Sequence, residues 1–390
     1  MKSRRGVDLD LGGQGEDSAW VLLNQEAMKL CRAGKFERAV EVAQRALKIA
    51  ENNVGPNHND VATILNNLGG FCLSQGQYTK AEPLFKRALL IWEDTLGPED
   101  PIVAQGLNNL GGLYKHLGQY AQAELLFKRA LTIREKVLGP VHSDVAQSLN
   151  NLGDLYQDQG RFAQAEECFN RALALFEKIL GLNDPSVATC LNNLANLCQR
   201  QGLYEQAEPM YMHAFEIYEK KFGACHPLVA QSVTNLATLY RAQGLDAKVE
   251  PLYKVALDMQ ETIFGANHPD VATSLNNLAS LYHSNGQYAQ AESFFTRALV
   301  IRERALGANH PDVAAILNNR ACLYISQGLH MQAQSLLVRA LEIQEKALGP
   351  DHPDVATSLS NMAQSYRSTN REEEAAILEQ RAVAIQAIKR

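Results

Sequence analysis

Nine copies of one 42-residue pattern follow one another from Ser18 to Arg390 with no insertion between them. The stretch "SLNNLGDLYQDQGRFAQAEECFNRALALFEKILG" begins at Ser148. It stands 42 residues after "GLNNLGGLYKHLGQYAQAELLFKRALTIREKVLG" and 42 before "CLNNLANLCQRQGLYEQAEPMYMHAFEIYEKKFG". A chain of near-copies does not build one central core with one unique pocket. Each unit buries its apolar face against its neighbours, and the array grows along one dimension. Catalysis needs unique residues in unique places, so no enzymatic activity is expected.

The register is strict. Asn66, Asn108, Asn150, Asn192, Asn276 and Asn318 share one position, with Thr234 and Ser360 at the remaining steps. The next position is Asn67, Asn109, Asn151, Asn193, Asn235, Asn277, Asn319 and Asn361 without a break. Around Asn108, the residues Val103, Ala104, Leu107, Leu110, Gly111 and Tyr114 recur at three- and four-residue steps, the period of an amphipathic helix. Tyr120, Ala123, Phe127, Ala130 and Leu131 repeat that period after a turn. Each copy therefore predicts two helices. A glycine closes the first of them in eight copies, from Gly34 to Gly328, and Asn370 takes its place in the ninth.

The longer connection carries its own signals. "GANHPDVA" occurs at Gly265 and Gly307, and "GPDHPDVA" at Gly349. Glycine ends one helix, His or Asp caps the next, proline takes its first position, and Asp in the first turn suits the helix dipole. Pro83, Pro209 and Pro251 fall early in second helices, where few intrahelical amide bonds are expected to be lost.

These residues resemble the tetratricopeptide repeat, in the 42-residue variant of kinesin light chains and their prokaryotic relatives. The match is carried by "LNNLGGLYKHLGQYAQAELLFKRALTIREKVLG" and the "GxxHPDVA" linker. The resemblance implies an all-α fold: a right-handed superhelical solenoid of about nine helix-turn-helix repeats over residues 18–390, after a flexible leader over residues 1–17. It also implies that first helices line a concave groove. Asn66, Asn108, Asn150, Asn192, Asn276 and Asn318 are then expected to bond the backbone of an extended peptide, since an amide side chain both donates and accepts. The second asparagine of each pair is expected to tie adjacent repeats together.

Specificity should come from what differs between copies. Gly70, Gly112, Asp154, Asn196, Thr238, Ser280 and Cys322 stand one turn after the asparagines. Beyond them come Lys115, His116, Arg200, Arg241, His283 and Arg367, with Asp158 as the nearby acid. This mildly basic groove favours acidic segments of partner proteins, held by charge-assisted bonds. Its alternative use, complementing helix C-terminal dipoles, predicts the same cations.

Other classes find little support. Net charge is −6 and the pI near 6.0, against a nucleic-acid binder. No apolar run approaches the ~20 residues that span a bilayer. The seven cysteines form no CxxC pair, which predicts reduced thiols and a cytoplasmic protein. His58, His142, His226, His268, His310 and His352 are one or more repeats apart and should form a line rather than a metal centre. No phosphate-loop, dinucleotide or hydrolase motif occurs, so neither cofactor nor metal is expected. The function expected is an adaptor or scaffold that binds extended peptides, with self-association through the end repeats as an additional contact. The alternative is a sensor array for a small molecule or a folded partner.

Overall fold

The structure, a computed structural model, describes residues 18–388, so the leader expected over residues 1–17 lies outside the described residues. Among the described residues the chain forms α-helices and no strand. They come as hairpins. The first is α1 (Ala19–Arg32) with α2 (Phe36–Val54), followed by α3 (Asn59–Ser74) with α4 (Tyr78–Leu96) and α5 (Pro101–His116) with α6 (Tyr120–Leu138). Next come α7 (Ser143–Asp158) with α8 (Phe162–Leu180), α9 (Pro185–Arg200) with α10 (Tyr204–Phe222), and α11 (Pro227–Ala242) with α12 (Asp246–Phe264). The last are α13 (Pro269–Ser284) with α14 (Tyr288–Leu306), α15 (Pro311–Ser326) with α16 (His330–Leu348), and α17 (Pro353–Arg367) with α18 (Glu372–Ile388). Eighteen helices in nine pairs match the nine sequence copies.

Two compact units divide within α6, one ending at Ile133 and the other starting at Arg134. In each, every hairpin packs on the next: α2 on α3 and α4 on α5 in the first unit, α8 on α9 through α16 on α17 in the second. First helices of successive repeats also touch, as α3 does α5 and α9 does α11. In both units the first helices therefore form the tighter, inner side of the stack.

Local chemistry explains the boundaries. His58, His142, His226, His268, His310 and His352 cap first helices by accepting, through Nδ1, the amide hydrogen two residues on. Asp100 and Asp184 do the same through a carboxylate oxygen. Asn370 adopts φ 60°, the left-handed conformation the repeat glycines supply elsewhere. The prolines correct one expectation. Second helices start at Tyr78, Tyr204 and Asp246, so Pro83, Pro209 and Pro251 lie sixth in the helix, past the first turn. Each removes one bond to the carbonyl four residues back, and the helix continues because its buried face holds it.

Packing within a hairpin is close. A Cβ on Gly153 would lie 2.5 Å from Cε1 of Phe169, and one on Gly111 2.8 Å from Cε1 of Phe127. At these two positions the missing Cβ lets the ring lie flat on the first helix. Ala195, Ala237 and Ala279 hold the same place opposite Tyr211, Tyr253 and Phe295, all buried.

Candidate functional site

The residues left partly exposed on the first helices recur at steps of four, three and four. On α7 they include Gln147, Asn151, Asp154 and Asp158; on α9, Thr189, Asn193, Asn196 and Arg200; on α11, Gln231, Asn235 and Thr238. This stripe of short polar side chains faces solvent on the inner side of the second unit. Gln105, Asn109, Gly112 and His116 of α5 form the same stripe in the first.

The paired asparagines exchange the places expected of them. Asn66 is 1% exposed, and Asn108, Asn150 and Asn318 are also buried. Asn192 and Asn276 are only half-buried. The second asparagine lies on the stripe instead, from Asn109 to Asn361, although Asn67 is buried too. One helical residue turns the side chain by about 100°, so of two neighbours one points into the layer and one out.

The pair then makes a ladder between repeats. Asn109 Nδ2 donates to Asn66 Oδ1 at 2.8 Å, Asn193 to Asn150 at 2.8 Å and Asn319 to Asn276 at 3.0 Å. Asn67 reaches Asn24 at 3.2 Å, and Asn361 reaches Asn318 at 3.4 Å. The expected tie between repeats is therefore real, and the first asparagine is its other half. Thr234 interrupts the ladder, because its hydroxyl donates to Ala230 O within its own helix at 3.0 Å.

The charged residues divide similarly. Lys115 is 7% exposed, inside the layer, and does not present its ammonium to the groove as expected. In the second unit the same register position braces the next repeat. Gln157 Nε2 donates to Asn196 Oδ1 at 2.7 Å, Arg241 Nη2 to Ser280 O at 3.3 Å, and His283 Nε2 lies 2.8 Å from Ser326 Oγ. Burial, and then the charge of Arg241, push the His283 pKa below its ordinary value, so this ring is neutral at pH 7. His116 stacks on Tyr78 with centroids 6.3 Å apart. Arg200 is exposed and lies 3.7 Å from Asp158. Arg367 is turned to Glu379 at 2.6 Å. Of the expected cations in the second unit, Arg200 and Arg241 are those that charge the stripe.

Several contributors were not expected from sequence. The tyrosines that read as core bury their rings and send their hydroxyls to the preceding repeat: Tyr114 donates to Glu82 at 2.9 Å, Tyr240 to Glu208 at 2.7 Å and Tyr282 to Glu250 at 2.9 Å. Glu208 raises the Tyr240 pKa to about 12 by accepting that bond, with burial adding to it. Arg134 is buried and donates to Asp144 O at 2.9 Å and Ser148 Oγ at 3.0 Å. A glutamate 32 residues before each tyrosine was the available signal.

No group of three His, Cys, Asp or Glu side chains able to hold a metal comes together among the described residues. None of the seven cysteines is in a disulfide; Cys190 is buried and Cys198 half-buried. Trp20 donates to Asp60 at 3.1 Å, and Trp92 packs on Gly106, so both anchor neighbouring repeats. No described helix is long and apolar enough to cross a membrane. In α18, Ala375, Ala382 and Ile385 are buried while Ile377 and Val383 are exposed.

The tetratricopeptide repeat family pattern matches residues 60–136, 144–220, 186–262, 228–304, 270–337 and 314–387. A second tetratricopeptide repeat pattern matches residues 23–60. A Rap protein complexed with competence and sporulation factor has a similar fold, with TM-score 0.63 and 16% identity over 95% of this chain and 99% of that one. The Rap conjugation gene regulator of plasmid pLS20, in complex with the Phr peptide, gives 0.57 and 16% over 84% and 95%. A kinesin light chain with near-identical repeats from Podosopora anserina is 27% identical over 53% of this chain and 98% of that one, with TM-score 0.43. No curated protein matches the sequence.

Proposed function

The chain belongs to the tetratricopeptide repeat family, and from that premise we propose that it is a non-enzymatic adaptor binding extended segments of partner proteins along its first helices. The observation that carries this reading is the asparagine ladder. Holding Nδ2 of Asn193 on Asn150, and of Asn319 on Asn276, fixes the side-chain rotamer. The half-buried amide is then held in place to bond a peptide backbone without prior ordering. The first asparagines Asn66, Asn150, Asn192, Asn276 and Asn318 serve the ligand from behind, as the acceptors that position the second.

Acidic segments fit this surface. Arg200 and Arg241 lie on neighbouring first helices, and short side chains at Asn196, Thr238 and Ser280 leave room beside them for a bulky residue. His116 supplies a weaker contact in the first unit. The peptide-bound Rap regulator offers a fold-level parallel. Seven cysteines without a disulfide fit a reducing, cytoplasmic setting. Exposed Ile377 and Val383 on α18 make an end-to-end contact a secondary expectation, to be read from concentration-dependent mass.

A peptide-display screen against the whole chain tests this, run in parallel on Arg200→Glu/Arg241→Glu. Enriched acidic peptides that lose binding to the variant support the groove. Enrichment that ignores the variant, or none at all, refutes it.

A further inference from the structure

The second helices carry a clamp that repeats along the outer side of both units. Arg87 places Nη2 2.7 Å from Glu51 Oε1 and 3.1 Å from Pro56 O. Arg129 does so with Glu93 at 2.6 Å and Pro98 O at 3.4 Å. In the second unit Arg297 binds Glu261 and Ala266 O, Arg339 binds Glu303 and Ala308 O, and Arg381 binds Glu345 and Pro350 O. Arg171 reaches Glu135 in the same way. The arginine always follows its glutamate by 36 residues, and the carbonyl, where it is contacted, by 31.

That spacing puts His213 of α10 and Val255 of α12 in the arginine's place. Two successive repeats have lost the guanidinium while keeping its socket. Glu177 and Glu219 stand where the paired glutamates stand, and the carbonyls of Leu182 and Ala224 where the accepting carbonyls stand. Neither Glu177 nor Glu219 makes an ion pair among the described residues. Six other copies show what such a socket accepts.

The surface around the sockets is also unlike that of a solvated helix face. Met212 is 43% exposed, Val255 49% and Leu182 61%. Glu208, Pro209, Met212, His213 and Glu216 line a shallow depression of about 430 Å³ on α10. Apolar surface therefore lies beside the uncovered carboxylates.

We propose that the outer face of α8, α10 and α12 docks a partner-protein segment carrying two arginines, whose guanidinium groups fill the two empty sockets. The planar fork reaches a carboxylate and a carbonyl together, which a lysine ammonium does less well. Two sockets one repeat apart, roughly 10 Å, match arginines seven apart on a helix (~10.5 Å) or three apart on an extended polyproline II segment (~9 Å). An apolar residue between them covers Met212 and Val255. One exposed ion pair alone is weak, so both sockets and the apolar contact act together. This surface is separate from the groove of the first helices and does not depend on it.

The test uses the whole chain and 15-residue peptides with two arginines three or seven apart and a leucine between them, followed by fluorescence anisotropy. His213→Arg/Val255→Arg fills both sockets from within, as the other repeats do, and is expected to weaken peptide binding at least tenfold. Glu177→Gln/Glu219→Gln leaves the helices unaltered and is expected to weaken it similarly. Arg241→Glu, in the groove, should leave it unchanged. Equal affinity for wild type and both socket variants overturns the proposal, as does a failure of every arginine-pair peptide to bind, or equal binding of lysine-pair peptides.

Discussion

Asn193 donates from Nδ2 to Oδ1 of Asn150, 2.8 Å away and one repeat back. The acceptor is buried and the donor half-exposed, so the two partners differ in what their loss does. Asn150→Leu leaves a polar amide facing an apolar group inside the stack, a penalty of about 1–3 kcal/mol. Asn193→Ala removes the donor where water can enter and costs about 0.5–1.5 kcal/mol. Urea midpoints should fall in that order. Equal midpoints for the two variants would contradict the assignment of inside and outside.

Gly153 and Gly112 make a matched pair. A Cβ on Gly153 meets the Phe169 ring at 2.5 Å, whereas one on Gly112 meets nothing within 4 Å. Gly153→Ala should therefore destabilise by about 1–3 kcal/mol through overpacking, and Phe169→Leu in the same chain should recover part of it. Gly112→Ala should stabilise by up to about 1 kcal/mol through helix propensity. Thermal unfolding of the three variants reads both signs.

Arg320 stands in α15 where other copies bury a leucine, such as Leu278. Its guanidinium meets Glu292 at 3.0 Å, and Tyr324 donates to the same carboxylate at 2.9 Å. Restoring the repeat with Arg320→Leu should be neutral or raise stability by about 1 kcal/mol, since Tyr324 still holds Glu292 and a half-buried ion pair contributes little net. Glu292→Ala should lower it, because the arginine then loses its partner. A drop larger for Arg320→Leu than for Glu292→Ala would reverse the reasoning.

The His226 cap makes stability depend on pH. His226 accepts the Leu228 amide hydrogen at 3.3 Å through Nδ1, which only the unprotonated nitrogen can do. Burial lowers its pKa from the usual 6.5. Since the folded value lies below the unfolded one, this stability is fully present above about pH 6.5 and is lost as pH falls through the folded value. His226→Asp, copying the cap at Asp184, should remove that loss between pH 7 and 5, worth about 1 kcal/mol for one cap. Melting curves of the two proteins at pH 7 and pH 5 check it. Parallel shifts in both would contradict the cap as the cause.

Much of the fold is legible in single residues. The proline at the first position of α13, the histidine before it and the left-handed Asn370 after α17 carry their structural roles in their own chemistry, independent of neighbours. The candidate site is less so. In "NN", both residues suit both roles, and the choice between Asn150 and Asn151 is set by how α7 rolls against α9, a property of the stack. Lys115 reads as a surface charge, yet it is buried, and at the same register Gln157 and Arg241 bond the repeat that follows them. The glutamate and arginine of the outer clamp lie 36 residues apart, beyond the reach of helical periodicity, and only comparison between copies exposes them.

The most direct test of the groove is the affinity, by calorimetry, of one display-selected peptide for the wild-type chain and for Asn193→Ala/Asn235→Ala. Two lost hydrogen bonds of about 0.5–1.5 kcal/mol each predict a Kd roughly 5- to 160-fold weaker, with the helical spectrum unchanged. An unchanged Kd in a folded variant would mean that the asparagine stripe only joins repeats, and that the peptide binds elsewhere.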